Sequence, residues 1–190
     1  MAVTLMGQAF SRPPELPFFD WNACPGEGCK FGKWTAKTSV PLYDSWGNKR
    51  KEIGNINAGE SVIAWTGVVI TYKPGVIRLD RDVPVSEFQK ENAPVAIDLK
   101  RGDTILTYTY LGEGFSAATV KGKYYLAFDI SFTRWPDGSG CGGEHCAATY
   151  VDMGSKKWWV QAKLRSGKMA WVDADFSAFE GMCGICKQSK

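Results

Sequence analysis

Hydrophobic and polar positions alternate with period two along much of this chain, and no segment carries an apolar stripe of period 3.6 over three turns. Through Val62-Ile63-Ala64-Trp65-Thr66 the alternation places Val62, Ala64 and Thr66 on one face and Ile63 and Trp65 on the other. The pattern returns once. Residues 56–66 align without gaps on residues 99–109, each copy a Gly-acid turn followed by alternating β-branched and aromatic positions. Two copies are too few for a propeller or solenoid, so tandem small barrels are expected. Residues 34–40 read as a strand entering an irregular polar loop over 41–47, and residues 68–72 and 76–79 as a hairpin closed by Lys73-Pro74-Gly75. Residues 115–120 and 123–130 flank a turn at Lys121-Gly122, and residues 158–164 and 169–172 form an alternating hairpin with Ser166-Gly167 at its turn. Within that hairpin, one of Trp158 and Trp159 is expected to face outward. Residues 84–94, framed by Pro84 and Pro94, read as a linker with at most one helical turn. The fold class expected is all-β.

Composition supports that reading and narrows the function. The 190 residues leave room for one ordinary domain or two small ones, and 8 Trp, 7 Tyr and 10 Phe beside 21 Gly and 9 Pro suit short twisted strands with tight turns. A net charge of +3 is too small to point to nucleic acid as a partner. No apolar run approaches the roughly 20 residues that span a bilayer, so no transmembrane segment is expected. Residues 1–10 lack the basic start of a complete signal peptide.

The inventory of reactive groups argues against an enzyme. His145 is the single histidine, which excludes two-histidine metal hydrolase motifs. A G-x-G-x-x-G string at Gly138, Gly140 and Gly143 follows a turn and precedes no long helix, so it lacks the context of a dinucleotide site. Glu113, Asp129, Asp137 and Glu144 supply carboxylates, but nothing fixes their separation, and turn positions suit them better. No catalytic residue is assigned.

Six cysteines fall into three local pairs, Cys24/Cys29, Cys141/Cys146 and Cys183/Cys186. An even count in Gly-rich loops outside the strands favours disulfides and an oxidising compartment, with local pairing the simplest of the 15 connectivities that six cysteines allow. No cofactor is expected. The alternative is a zinc site on Cys141, Cys146, Cys183 and Cys186, since C-x-x-C is favourable spacing for structural zinc and C-x₄-C lies at the loose end. Redox catalysis at Cys183-Gly-Ile-Cys186 lacks the following helix that would favour a thiolate.

The segment from Trp159-Val-Gln-Ala through Ser166-Gly167 to Met169-Ala-Trp171-Val172 resembles the closing hairpin of bacterial SH3-like domains, patterned W-x-x-V, a Gly turn, then G-W-V. Ala170 stands where glycine is usual. Leu99-Lys-Arg-Gly102-Asp103-Thr104-Ile105 resembles the strand these domains place after their first long loop, and Cys24-Pro-Gly-Glu-Gly-Cys29 with Trp34 resembles the opening of exported bacterial proteins of this kind. The resemblance covers residues 31–178. It implies two SH3-like barrels in tandem: an extended arm over 1–30, one unit over 31–83, the linker, a second unit over 95–178 with a Gly/Cys-rich insertion, and a Cys-containing tail over 179–190. The first unit has no G-W-V strand of its own, so sharing strands with the second is the alternative to closing a separate barrel. The implied protein is periplasmic or secreted. It binds a peptide or peptidoglycan fragment without catalysis, through aromatic residues taken to be Tyr43, Trp46, Tyr110, Trp159 and Trp171.

Overall fold

The computed structural model describes residues 9–10, 12–88 and 94–183. Strands follow in chain order as β1 (Ala9–Phe10), β2 (Phe18–Trp21), β3 (Gly32–Ala36), β4 (Val40–Tyr43), β5 (Glu52–Ile56), β6 (Ser61–Lys73), β7 (Gly75–Leu79) and β8 (Val83–Phe88). They continue as β9 (Pro94–Leu99), β10 (Thr104–Gly112), β11 (Phe115–Val120), β12 (Lys123–Asp129), β13 (Thr133–Arg134), β14 (Ala148–Asp152), β15 (Ser155–Lys163), β16 (Met169–Asp173) and β17 (Phe179–Glu180). The chain is all-β with curled, half-barrel sheets. No helix among the described residues is long and apolar enough to cross a membrane.

Two compact units form. One takes the described residues up to Phe18 together with Thr71–Ser155, around a seven-stranded sheet ordered β1-β12-β11-β10-β7-β14-β13. Ile77, Leu79, Ile105, Val120, Phe128 and Ile130 fill its main core, and Tyr108, Ala117 and Tyr124 form a smaller one with Phe18. Two buried hydroxyls are tied to backbone, Thr71 donating to the Tyr108 carbonyl at 2.6 Å and Ser116 to that of Thr109 at 2.6 Å, which offsets the cost of enclosing them. The strands expected over 115–130 are β11 and β12, paired antiparallel.

The other unit joins Phe19–Ile70 to the described residues from Lys156 onward, around an eight-stranded sheet ordered β17-β3-β6-β15-β16-β4-β5, with β2 also on β6. Its larger core holds Trp34, Val40, Leu42, Ile56, Val62, Trp158, Val160, Val172 and Phe179. Both buried indoles there find acceptors, Trp34 Nε1–H on the Lys30 carbonyl at 3.0 Å and Trp158 Nε1–H on that of Ala23 at 3.1 Å. On β6, Val62 and Ala64 point into this core while Ile63 and Trp65 face out, as the alternation requires. The closing hairpin is β15 and β16, paired from Trp159↔Asp173 to Lys163↔Met169. It lies in one sheet with β3, β4, β5 and β6, so the strands of the N-terminal part are completed by the C-terminal ones.

Three local expectations are corrected. Pro74 does not close a hairpin: β6 and β7 lie in different sheets, β7 pairing with β10 and β14. A Pro-Gly pair breaks a strand wherever it stands, but only the partners decide whether the chain reverses or moves on. The linker expected over 84–94 begins as strand instead: Val83–Phe88 and Pro94–Leu99 form the antiparallel pair β8–β9, with Val83 and Ile97 among its β-branched positions, while 89–93 lie outside the described residues. The polar loop expected from residue 41 begins later, because Val40–Tyr43 is itself a strand. It meets β16 only at Trp171↔Tyr43, which leaves an open edge that accommodates Pro41.

Candidate functional site

Trp159 organises the aromatic side of the Phe19–Ile70 unit. It is 1 % exposed and packs with Val68 and Ile70, while Tyr43, Trp46 and Trp171 lie half-buried against them. Tyr43 meets the Trp159 ring edge-on at 5.4 Å, and the Trp171↔Tyr43 pairing of β16 with β4 holds two of these rings on neighbouring strands. Trp158, one residue earlier, is buried too, in the larger core beside Trp34 and Phe31. The expectation that one of the pair faces outward therefore fails. Both faces of β15 are covered, so alternation only chooses which core each tryptophan enters. Tyr110 belongs to the other unit, where its ring stands edge-on to Trp135 at 6.1 Å and its hydroxyl accepts the Gly114 N–H at 3.1 Å.

Two aromatic residues not singled out in the sequence extend this cluster to the surface. Phe19 and Trp21 alternate along β2, which places both on one face, and each meets Trp46 edge-on with centroids 5.6 Å apart. Trp21 is 53 % exposed and Phe19 38 %. Past Trp21 the chain is fixed by Asn22, whose N–H donates to the Gly67 carbonyl at 2.7 Å and whose side-chain oxygen accepts from Thr66 Oγ1 at 2.5 Å. The result is a platform of Phe19, Trp21 and Trp46, backed by Tyr43, Trp159 and Trp171. The signal for it, alternation in Phe18-Phe19-Asp20-Trp21, was present but lay in a segment read as an arm.

Cations edge the platform. The Arg50 guanidinium lies over Tyr43 at 5.5 Å and over Trp159 at 5.0 Å, and donates to the Gly47 carbonyl at 3.2 Å. Lys157 lies over Trp159 at 5.7 Å and is paired with Asp173. A hollow of about 520 Å³ opens beside Tyr43, bordered by Pro41, Lys156, Lys157, Asp173 and Asp175. Aromatic faces beside charged groups can hold sugar rings or apolar side chains while hydrogen-bonding their polar substituents.

The scattered carboxylates serve turns. Asp129 accepts the Ser131 N–H at 2.8 Å, Asp137 the Ser139 N–H at 2.9 Å, and Glu113 sits at φ 51° between Gly112 and Gly114. The Asp44 carboxyl is held below its ordinary value by the Lys51 N–H, that of Asp175 by the Ser177 N–H, and that of Asp152 by Lys73 and then the Gly154 N–H. A depressed native value means the folded form binds fewer protons than the unfolded form, so this stability is present above the unfolded carboxylate value and is lost as pH falls through the native one. The melting temperature is expected to be flat from neutral pH down to about 5 and to drop below about pH 4. A melting temperature at pH 3 equal to that at pH 7 would contradict this.

Cys24–Cys29 and Cys141–Cys146 are disulfides, with Cα atoms 5.8 and 5.2 Å apart. Cys183 is disulfide-bonded as well, and Cys186 lies outside the described residues. The zinc alternative thus loses the thiolates of Cys141, Cys146 and Cys183. Comparison with known proteins finds no matching family model, no matching curated protein and no matching solved structure.

Proposed function

We propose that this chain is a non-enzymatic binding module of an exported bacterial protein, built of SH3-like barrels, that holds a peptide or peptidoglycan fragment on the platform of Phe19, Trp21 and Trp46. The carrying observation is that Trp21 is more than half exposed yet held edge-on against Trp46, which is itself fixed by the Trp159 cluster. A solvent-facing indole on a rigid aromatic base loses little conformational freedom when a ligand stacks on it. Sugar rings present apolar C–H faces, and peptide stems present methyl groups, both suited to such rings. Disulfides in two surface loops fit an oxidising compartment.

Tryptophan fluorescence during titration with soluble muropeptides, and separately with a proline-rich peptide, tests the reading. Trp21→Ala and Trp46→Ala are each expected to weaken binding by about 2 kcal/mol, or roughly thirtyfold in Kd. Trp65→Ala, equally large and exposed but without a ring contact to Phe19, Trp21 or Trp46 among the described residues, is expected to leave it unchanged. Equal binding by all three variants, or none by the intact protein to either ligand class, removes the proposal.

A further inference from the structure

The same unit carries a second concavity whose chemistry differs from that of the platform. A groove of about 760 Å³ is bounded by Lys33 on β3, Asn55 on β5, Glu60 in the turn before β6, Ile63 on β6, and Lys163 and Arg165 at the β15–β16 turn. That volume lies within the range of small-ligand sites. Three cations thus face one carboxylate. Glu60 is already engaged, accepting the Asn57 N–H at 2.8 Å, whereas none of Lys33, Lys163 and Arg165 takes part in an ion pair among the described residues. Ile63, 43 % exposed and paired in register with Lys33, gives the groove an aliphatic surface between its charges.

One wall supplies hydrogen-bonding groups as well. β5 ends its sheet and pairs only with β4, from Val40↔Ile56 to Tyr43↔Glu52. Its outer edge therefore offers backbone N–H and C=O groups with no strand partner among the described residues. Sheet edges of this kind accept extended peptides as an added strand, with alternate side chains directed at the flanking surface. We infer that the groove binds an acidic peptide segment, laid in extended conformation along β5 with its carboxylates toward Lys33, Lys163 and Arg165. An aliphatic side chain of the segment rests on Ile63. A polyphosphate would satisfy the charges but leave the strand edge and Ile63 unused, so a peptide is the better complement. The inference uses none of the platform residues and stands apart from the reading given above.

Fluorescence anisotropy of a labelled, alternating Glu-Val peptide against the intact disulfide-bonded protein tests it. Saturable binding is expected, weakening as salt rises. The charge-reversing double variant Lys163→Glu/Arg165→Glu, on an exposed turn, should raise Kd about tenfold or more while the melting temperature stays unchanged. N-methylation of alternate peptide groups should weaken binding, and Trp21→Ala should not. The inference is overturned by an absence of saturable binding, by equal affinity of the double variant, or by loss of binding in Trp21→Ala, which would move the contact to the platform. Polyphosphate of matched charge displacing the peptide at equal concentration would also overturn it, by reducing the groove to a surface for any polyanion.

Discussion

Trp159→Ala is expected to lower stability by about 3–5 kcal/mol, as for other buried large-to-alanine changes, and to remove ligand binding with it. Trp159 is enclosed by Val68 and Ile70, and it is the ring on which Tyr43, Trp46 and Trp171 converge. Its loss leaves a cavity that the surrounding strands cannot close, because β15 and β16 are fixed in register through five pairs. Arg50 and Lys157 also lose the ring face beneath them, a further cost of about 0.5–1 kcal/mol each. Urea unfolding followed by circular dichroism checks the magnitude, with Trp65→Ala as reference. Trp65 is 69 % exposed, and its removal is expected to change stability by no more than about 0.5 kcal/mol. Similar unfolding midpoints for the two variants would mean that Trp159 does not hold the cluster together.

In the other unit the largest effect is expected from Gly154→Ala. Gly154 has φ +71°, and a Cβ there would stand 2.3 Å from the Lys73 carbonyl oxygen and 2.7 Å from both the Gly75 nitrogen and the Pro74 carbonyl carbon. All three are backbone atoms, so no rotamer change relieves the contact. The turn is further tied by Asp152, which accepts the Gly154 N–H at 2.8 Å and pairs with Lys73 at 2.5 Å. Left-handed strain and overpacking together should cost about 3 kcal/mol or more. Gly122→Ala separates the two contributions: φ is +79° there, but a Cβ meets nothing within 4 Å, so only the conformational cost of about 1 kcal/mol applies. Equal destabilisation by the two substitutions would show that the close approach to residues 73–75 is not limiting.

Legibility followed physical scale. Period-two alternation identifies strands and their faces, which is why β10 to β12 and the β15–β16 hairpin are readable and why Ile63 and Trp65 separate from Val62 and Ala64. Alternation cannot say whether the far face is covered, and so it misjudged Trp158 and Trp159, which enter two separate cores. Nor does it name partners. The Lys73-Pro74-Gly75 break looked like a reversal because Val68–Tyr72 and Val76–Leu79 are both strand-like, yet their partners lie far along the chain. Of the five aromatic residues that the resemblance implies, Tyr43, Trp46, Trp159 and Trp171 converge in space, because a long loop and two hairpin strands meet at the end of β4. Tyr110 lies in the other unit, against Trp135. Phe19 and Trp21 fall within residues 1–30, which the resemblance implies are an extended arm, whereas β2 is a strand.

The placement of β15 and β16 has a consequence for the order of assembly. The strands from β3 to β6 are synthesised first, but the sheet that contains them is bridged by a hairpin encoded some eighty residues later. Within residues 71–155, β10, β11 and β12 are near neighbours in the chain and can pair as soon as they emerge, and only β14 comes late to β7. Until residue 173 is available, β4 and β6 lack the two strands that join them, and Trp34, Val62 and Leu42 face an incomplete core. Contacts of such long sequence separation form slowly. That delay lengthens the time the aromatic surfaces stay uncovered, and the earlier-made strands wait longest.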